Sequence, residues 1–316
     1  MNVISHRYIY LVISGILVAG SIIAIVLYGL PLGTDFTGGS LWEVEFRDAP
    51  PPAEKVEAVF KRAALDSVTI QKTGEQGMIF RFSPVDEAMH QKLLWELTQA
   101  AGARAEYASS SATSAVAVLM EKRFDTVGPV IGAELRQRAI TAILVAMGAI
   151  ILYIAWAFRG VSRPVSSWKY GVAAVIALCH DVIIPTGVFA VLGAFGSAEI
   201  NALFITALLT IMGFSVHDTI VVFDRTRENL AASPATARFR DVVQKSINET
   251  MVRSLNTSLT VILVLFVLLF LGGEATRYFV LALIIGIMNG TYSSIFVASM
   301  LLVVWHESRF GMREGK

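Results

Sequence analysis

The chain has 316 residues and is poor in cysteine and in charge, and each shortage excludes a class of protein. Its one cysteine, Cys179, cannot form a disulfide within the chain, so a disulfide framework is excluded. Charged residues make up only 16% of the sequence, and the net charge of +1 gives no indication of a nucleic-acid partner. The sequence has no zinc-ligand spacing, no Walker loop and no G-x-S-x-G elbow, so we do not expect ATP hydrolysis by this chain.

Apolar residues are abundant instead: they make up 55% of the chain, and the mean hydropathy is +0.63. This composition is typical of a membrane protein. Six apolar segments are long enough to cross a bilayer or nearly so, and we expect each to be a transmembrane helix. They cover residues 8–30, 139–158, 170–193, 202–223, 255–272 and 278–305. No convincing small-residue cleavage site follows the first segment, so we expect it to be retained and not removed as a signal peptide.

The segment between the first two apolar runs, residues 31–136, carries charges and turn residues and is expected to be a soluble domain. Alternating patterns and helical spacing predict the order β-α-β-β-α-β, the ferredoxin-like arrangement of an α+β domain. Asp86 and Gly102 supply the start and stop signals of its second helix. The predicted strands are 41–46, 68–72, 78–82 and 103–107, and the predicted helices are 53–65 and 86–101. A small-polar linker, 109–114, and a turn-rich segment, 127–132, lead back to the membrane.

The charges of the loops predict the orientation in the membrane. The connections at 159–169 and 224–254 and the tail at 306–316 are rich in Arg and Lys, whereas the opposite short loops offer only Arg277. The positive-inside rule therefore places both termini in the cytoplasm and the soluble domain outside, in the periplasm of a bacterial cell. The chain divides into an N-terminal tail with helix one, an extracytoplasmic domain, helices two to six and a cytoplasmic tail. These parts cover residues 1–30, 31–136, 137–305 and 306–316.

An acidic residue, Asp218, lies inside the fourth apolar segment, which the charged residues 224–228 are expected to close. A charged carboxylate at the centre of a span costs about 2.5–3.5 kcal/mol on insertion scales. The side chain is therefore expected to face other helices or water, and such a residue is a functional-site hypothesis by default. The alternative is a polar residue that a neighbouring helix satisfies for packing.

Two histidines immediately precede intramembrane aspartates. His180 and Asp181 lie near the middle of the third apolar segment, and His217 precedes Asp218 in the fourth. Adjacent residues of a helix point about 100° apart, so we expect neither pair to be a self-contained dyad. A metal site needs more ligands than these pairs offer. Each histidine either hydrogen-bonds a neighbouring helix or takes part in a proton relay.

Polar or small residues also interrupt the last two apolar segments. Arg253 opens a polar first turn of the fifth, at a depth similar to that of Asp218, so the two side chains can approach each other. The alternative for Arg253 is a positively charged anchor at the interface. In the sixth segment, small residues at close helical spacing predict tight packing against another helix. These are Gly286, Gly290, Ser293 and Ser294.

Five stretches combine into a pattern that extends over nearly the whole chain. They are Gly33-Thr-Asp-Phe-Thr-Gly-Gly-Ser40, Val127-Gly-Pro-Val-Ile-Gly-Ala-Glu-Leu135, Gly213-Phe-Ser-Val-His-Asp-Thr-Ile-Val-Val-Phe-Asp-Arg225, Ile247-Asn-Glu-Thr-Met-Val-Arg-Ser-Leu-Asn-Thr-Ser-Leu-Thr260 and Gly290-Thr-Tyr-Ser-Ser-Ile-Phe-Val-Ala298. Together they resemble the SecF family, the auxiliary membrane subunits of the bacterial Sec protein-export system, in the resistance–nodulation–division superfamily. The combined motifs are highly specific, whereas a lone Asp-Phe-x-Gly-Gly would be weaker.

The resemblance implies a six-helix half of a transporter, whose other six helices and larger periplasmic domain belong to the subunit SecD. The two subunits together use the proton gradient to help pull preproteins out of the SecYEG channel on the outer side. The implied partners are therefore SecD, the SecYEG channel, the translocating preprotein and membrane lipid, with no cofactor and no nucleic acid. The chain is expected to hydrolyse nothing, and so not to be an enzyme.

The resemblance also implies roles for individual residues. In the family, the helix-four aspartate and an arginine at the start of helix five are implicated in proton conduction, and they match Asp218 and Arg253. Asp181 matches a further family position in helix three. Many members have Asn where His217 stands, so this chain has an additional titratable group beside Asp218. Asp181, His217 and His180 are therefore secondary candidates.

Two functions of other classes stay open. One is a subunit of a small-molecule or lipid exporter with the same architecture, against which the Asp-Phe-Thr-Gly-Gly and Val-Gly-Pro elements argue. The other is a passive scaffold that stabilises the translocon without moving protons, which proton-flux measurements would distinguish. Co-purification with SecD-like and SecY-like chains would identify the class.

Overall fold

The chain folds into two compact units, which a computed structural model describes for residues 3–65, 67–102, 119–159, 166–195, 198–234 and 236–314. One unit, the soluble unit, is Leu32–Ala139, and the other, the membrane unit, combines Met1–Pro31 with Ile140–Lys316. Six helices among the described residues are long and apolar enough to cross a membrane, which confirms the predicted multi-pass helical architecture.

The helices and strands alternate only in the part of the chain between the first two spans. After a 3₁₀ turn, Ile4–His6, the described elements are α1 (Arg7–Tyr28), α2 (Thr34–Thr37), β1 (Gly39–Phe46), α3 (Ala53–Arg62), β2 (Thr69–Thr73), β3 (Gly77–Phe82), α4 (Glu87–Ala100), β4 (Leu119–Val127), α5 (Pro129–Ala157), α6 (Ser167–Ala194), α7 (Ala202–Ala232), α8 (Phe239–Leu271), α9 (Glu274–Ser293) and α10 (Ser299–Glu314). A π-helical segment, Ser294–Ala298, joins α9 to α10, and the three together form the sixth span.

The unit Leu32–Ala139 contains the predicted ferredoxin-like domain. Its four-stranded sheet has the order β2-β3-β1-β4 with antiparallel neighbours, and the elements follow the β-α-β-β-α-β order. The sequence pattern did not predict β4, the last strand of this sheet. The strand expected at 103–107 and the linker expected at 109–114 lie outside the described residues.

A polar contact holds β4 on the sheet in addition to its backbone pairing. The indole Nε1 of buried Trp42, on β1, donates to Glu121 Oε2 of β4 at 2.7 Å. His90 Nε2, on α4, lies 2.7 Å from the same oxygen. The His90 ring also stacks on Phe124 of β4, with ring centroids 3.7 Å apart. The Glu121 carboxylate therefore joins β4 to both β1 and α4.

The two motifs that flank the soluble unit in the sequence contact each other within it. Gly38 has φ +74°, a left-handed conformation that favours glycine, and a Cβ there would lie 2.9 Å from Pro129 Cα. A Cβ at Gly132 would lie 2.8 Å from the Gly38 nitrogen. Both positions therefore require glycine so that the backbones can approach each other.

Two spans continue as helices beyond their apolar residues, so two expectations about helix ends are wrong. The charged residues 224–228 do not close the fourth helix, because α7 continues to Ala232. The fifth helix does not begin near Arg253, because α8 begins at Phe239. Hydropathy marks only the part of a helix that lies in hydrocarbon, so it misses helical turns that extend into water.

These extensions of α7 and α8 are bonded to each other by polar side chains. Asn229 Nδ2 donates to Ser246 Oγ at 3.0 Å and to Glu249 Oε2 at 2.8 Å. Arg225 Nε donates to the same Glu249 oxygen at 2.6 Å. These hydrogen bonds between two helices stabilise both of them outside their apolar segments.

The third, fourth and sixth spans form the interior of the membrane unit. Half of the third and fourth spans and two thirds of the sixth are buried, compared with 6% of the second. Small residues of α9 let it approach α7, because a Cβ at Gly286 would overlap Ile211 and a Cβ at Gly290 would lie 3.2 Å from Ser215 Cβ. The predicted tight packing at these glycines is confirmed.

We expect Gly286→Val to destabilise the membrane unit by about 1–3 kcal/mol, because an added side chain must displace Ile211 of α7. The matched control is Gly148→Val on α5, where an added Cβ meets no atom within 4 Å among the described residues. Thermal unfolding of the detergent-solubilised protein measures both. Equal melting temperatures for the two variants would contradict the close α7–α9 packing.

Candidate functional site

Asp181 of α6 is a carboxylate with hydrogen-bond partners on both oxygens. Its side chain is fully buried. Ser215 Oγ and Ser293 Oγ donate to Oδ2 at 2.5 and 2.6 Å. Asn289 Nδ2 donates to Oδ1 at 3.0 Å, and His180 Nδ1 lies 2.9 Å from the same oxygen. Four side chains, from the third, fourth and sixth spans, therefore converge on one carboxylate.

The contact between His180 and Asp181 corrects an expectation from the sequence. Adjacent helical residues were expected to point too far apart to pair, but His180 Nδ1 reaches Asp181 Oδ1. The angular separation applies to the Cβ atoms, and the longer imidazole reaches back to its neighbour. His217 follows the expectation, because its side chain is exposed and no described residue hydrogen-bonds it.

A second group of hydroxyls begins immediately beside the Asp181 cluster. Ser294, the first residue of the π-helical segment, has its Oγ 2.8 Å from Thr219 Oγ1 and 3.2 Å from the Ser215 carbonyl oxygen. Ser299 Oγ donates to the Ser294 carbonyl at 3.2 Å. Irregular π-helical turns occur frequently at functional sites. The sixth span thus contacts α7 through hydroxyl groups where its own helix is irregular.

Asp218 of α7 is buried but only partly bonded. Its side chain is 3% exposed, and Ser254 Oγ of α8 donates to Oδ1 at 3.0 Å. The buried Oδ2 has no hydrogen-bond partner among the described residues. Ser215 and Asp218 are three residues apart on one buried face of α7, which is about 4.5 Å along the helix axis. The two carboxylates therefore lie about one helical turn apart in depth.

Arg253 directly precedes Ser254, the residue of α8 that donates to Asp218. The Arg253 side chain is exposed, and within the described residues the hydrogen bond of Asp218 goes to Ser254. The structure thus joins Asp218 to α8 one residue away from the arginine that the sequence singled out. A direct Asp218–Arg253 contact and the roles of both residues stay predictions.

Exposed polar side chains mark one face of the isolated membrane unit. His217 of α7 and Arg253 and Asn256 of α8 are exposed, and the described residues supply no hydrogen bond to these side chains. The nearby exposed Thr257 is different, because its hydroxyl donates to the carbonyl of its own helix at 3.0 Å. Polar side chains without partners are expensive in lipid, so this face is expected to meet protein or water.

The described residues contain no group of three or more His, Cys, Asp or Glu side chains that could hold a metal ion. An apolar cavity of about 440 Å³ lies between α1 and α6, beside the α9–α10 junction, with His180 and Cys179 in its lining. The polar groups of the two aspartate sites described above are carboxylate, hydroxyl, amide and imidazole side chains, which can exchange protons and hydrogen bonds.

Sequence reasoning identified the acidic residues but not their donors. Ser215 and Asn289 were not singled out, and Ser293 was interpreted as a packing residue. A usable signal existed in the spacing, since Ser215 lies one turn before Asp218, and Asn289 and Ser293 are four residues apart on one helix face. That signal is weak because serine and asparagine are ordinary in packed membrane helices.

Comparison with known proteins adds independent information about the chain. Residues 108–308 match the family model described as protein export membrane protein SecD/SecF, C-terminal. The protein translocase subunit SecF of Thermobaculum terrenum is 41% identical over 320 residues, which cover 98% of this chain and 95% of that relative. The protein translocase subunit SecDF of Thermus thermophilus is 45% identical over 195 residues, or 61% of this chain and 24% of that relative.

A solved structure extends the similarity to three dimensions. The crystal structure of SecDF from Thermus thermophilus, described as a translocon-associated membrane protein, matches with a TM-score of 0.78 and 32% sequence identity. The match covers 97% of this chain and 39% of the SecDF chain. This chain is therefore similar to one part of the longer SecDF chain.

We expect Asp181→Ala to destabilise the protein more than Asp218→Ala. The first substitution removes the carboxylate acceptor of Ser215 and Asn289 and one of the two acceptors of Ser293, whereas the second removes only that of Ser254. Each orphaned buried donor costs about 1–3 kcal/mol. The measurement is the melting temperature of each purified variant in the same detergent. A larger loss for Asp218→Ala would show that the difference in bonding does not reflect a difference in stability.

Proposed function

Because the chain belongs to the SecF family of protein translocase subunits, we propose that it acts with SecD in the bacterial Sec translocase and couples the proton-motive force to preprotein export. It is a multi-pass membrane protein, and we place it in the cytoplasmic membrane with both termini in the cytoplasm. The Arg- and Lys-rich loops support this orientation, because such loops stay on the cytoplasmic side. The chain hydrolyses nothing in this proposal.

The partnership with SecD is supported by the SecDF relatives and by the polar face of α7 and α8. This chain corresponds to 39% of the SecDF structure, so a single protein elsewhere contains both a SecF-like part and additional sequence. Exposed His217, Arg253 and Asn256 would be costly in lipid and need a protein or water neighbour. Six helices of SecD on this face would supply that neighbour and enclose Arg253 near Asp218.

One observation carries the coupling proposal: Asp218 is a buried carboxylate with one hydrogen bond and one buried oxygen that no described residue contacts. Such a group is able to accept and release a proton with little rearrangement of its surroundings. Arg253 keeps its charge at physiological pH, so Asp218 is the member of the pair that titrates. A potential of 100 mV supplies roughly 2.3 kcal/mol for each charge that crosses the membrane.

In this proposal the soluble unit handles the preprotein outside the membrane. It has its own apolar core, in which two helices pack against a four-stranded sheet. We propose that this folded unit provides a surface for the preprotein beyond the SecYEG channel. Binding or steering of the emerging chain then requires exposed surface and no catalytic residue. Membrane lipid surrounds the first, second and fifth spans, which are the least buried.

We expect Asp218→Asn to preserve expression and assembly but to abolish the stimulation of export by a proton gradient, because an amide cannot release a proton. Asp218→Glu is expected to retain part of the stimulation, Arg253→Lys to lose part and Arg253→Met nearly all, since lysine keeps the charge without the planar fork. His217→Asn should be mild. The measurement is translocation into membrane vesicles with and without an imposed gradient, at equal protein level.

The matched control for these variants is Asp224→Asn, which removes an exposed carboxylate on the same helix that pairs with Arg227 at 2.7 Å. It should respond to the gradient as the parent does. A normal gradient response of Asp218→Asn would reduce Asp218 to a packing residue and favour a scaffold role. Recovery of the chain without SecD-like and SecY-like proteins would contradict the proposed assembly.

We expect deletion of residues 38–126 behind a short linker to leave the helices inserted but to abolish the chain's contribution to export. The deleted strands and helices have a core separate from that of the membrane unit, so the spans do not need them to pack. Membrane fractionation measures insertion, and export of a reporter preprotein measures function. Normal export by the deleted chain would refute a role of this unit in handling the substrate.

A further inference from the structure

The Asp181 cluster has a geometry that a proton carrier does not need. Both carboxylate oxygens are occupied, and the side chains on them come from α6, α7 and α9. Releasing a partner would break at least one buried hydrogen bond to a carboxylate, and such bonds contribute about 1.5–3 kcal/mol each. Asp218, with one described donor, needs no such rearrangement.

The cluster is connected to Asp218 through consecutive residues. Ser293, which donates to Asp181, is followed by Ser294, whose hydroxyl lies against Thr219 Oγ1 at 2.8 Å. Thr219 directly follows Asp218 on α7. Ser215, the second serine on Asp181, is one turn before Asp218 on the same face. Asp181 therefore bonds α7 one turn before Asp218, and it bonds the sixth span directly before Ser294, which contacts the residue that follows Asp218.

We infer that Asp181 is a positioning residue: it holds the sixth span against α7 in the register that places Ser294 on Thr219, and so fixes the surroundings of Asp218. The inference rests on the proposed function only where it concerns proton coupling. The glycines of α9 support it, because a Cβ added at Gly290 would lie only 3.2 Å from Ser215 Cβ. A register that placed a larger residue of α9 at this point would have to displace Ser215. The π-helical turn begins at Ser294, so the bonded register coincides with the irregular part of the helix.

A cysteine pair can report this register directly. Thr219→Cys with Ser294→Cys, in a Cys179→Ser background that contains no other cysteine, replaces two hydroxyls 2.8 Å apart with thiols. A disulfide has a bond of about 2.05 Å and needs only a small closure from that distance. The control pair is Ser258→Cys with Thr291→Cys, whose hydroxyls lie 2.5 Å apart between α8 and α9 and bond no member of the Asp181 cluster.

We expect both pairs to cross-link rapidly under mild oxidation in membranes that contain the parent chain. With Asp181→Asn, the negative charge is lost, so the charge-assisted hydrogen bonds from Ser215, Ser293 and Asn289 are replaced by weaker hydrogen bonds to a neutral amide. Cross-linking of the Thr219–Ser294 pair should then become about tenfold slower, and that of the control pair should stay unchanged. Equal slowing of both pairs, or no slowing of either, would overturn the inference.

The functional part uses a readout that general destabilisation does not change. Gradient-stimulated export is measured across pH for the parent, Asp181→Asn and Asp218→Asn, each normalised to folded protein in the membrane. Asp181→Asn should keep a response whose pH midpoint is shifted, whereas Asp218→Asn should have no response at any pH. An unchanged midpoint for Asp181→Asn would overturn its action on Asp218.

The two parts separate failure of this inference from failure of the proposed function. If Asp218→Asn responds to the gradient normally, proton coupling at Asp218 fails, while the cross-linking comparison still decides whether Asp181 sets the register. If Asp181→Asn does not accumulate, Ser293→Ala removes one donor and keeps the carboxylate. It should slow the Thr219–Ser294 cross-link in the same direction by a smaller factor, and a rate equal to that of the parent would overturn the inference.

Discussion

A carboxylate inside the hydrocarbon layer must obtain its hydrogen bonds from protein, because lipid offers no donor, and this requirement governs how the interior spans of this chain pack. Asp181 obtains donors from α7 and α9 in addition to its neighbour on α6. Gly286 and Gly290 let α9 approach α7 closely, and a Cβ at Gly290 would lie 3.6 Å from Asp181 Oδ2. The hydrogen bonding of one buried carboxyl group and the close packing of two helices are therefore parts of the same constraint.

The same constraint gives the two acidic residues different capacities. Asp181 has fixed partners on both oxygens, so its environment is rigid and a change of partner is costly. Asp218, one turn away in depth, has a single described donor and a buried oxygen without one. In the function proposed above, coupling requires one group that changes its protonation state and a frame that does not move when it does. The number of donors around each carboxylate is consistent with Asp218 in the first role and Asp181 in the second.

The fold was predictable where a pattern extends over many residues. Long apolar runs located the six spans, and alternation with a start signal located the second helix of the soluble unit, where Asp86 accepts from the Met89 nitrogen at 2.9 Å. The predictions failed where polar contacts between distant residues make the structure. The extensions of α7 and α8 are joined by Asn229 and its partners, which have no apolar periodicity. The strand β4 pairs with β1 through its backbone, and most of its side chains are exposed, so it shows no apolar alternation either.

The candidate site was predictable only in its charged members, since a carboxylate in an apolar run stands out by its energetic cost alone. Its donors do not stand out, because serine and asparagine in a membrane helix have the same appearance whether they bond a carboxylate or their own backbone. The serines that bond Asp181 lie 34 and 112 positions further along the chain. Only the tertiary packing could therefore rank the two aspartates, and it assigns the fuller set of bonds to the one that the sequence placed second.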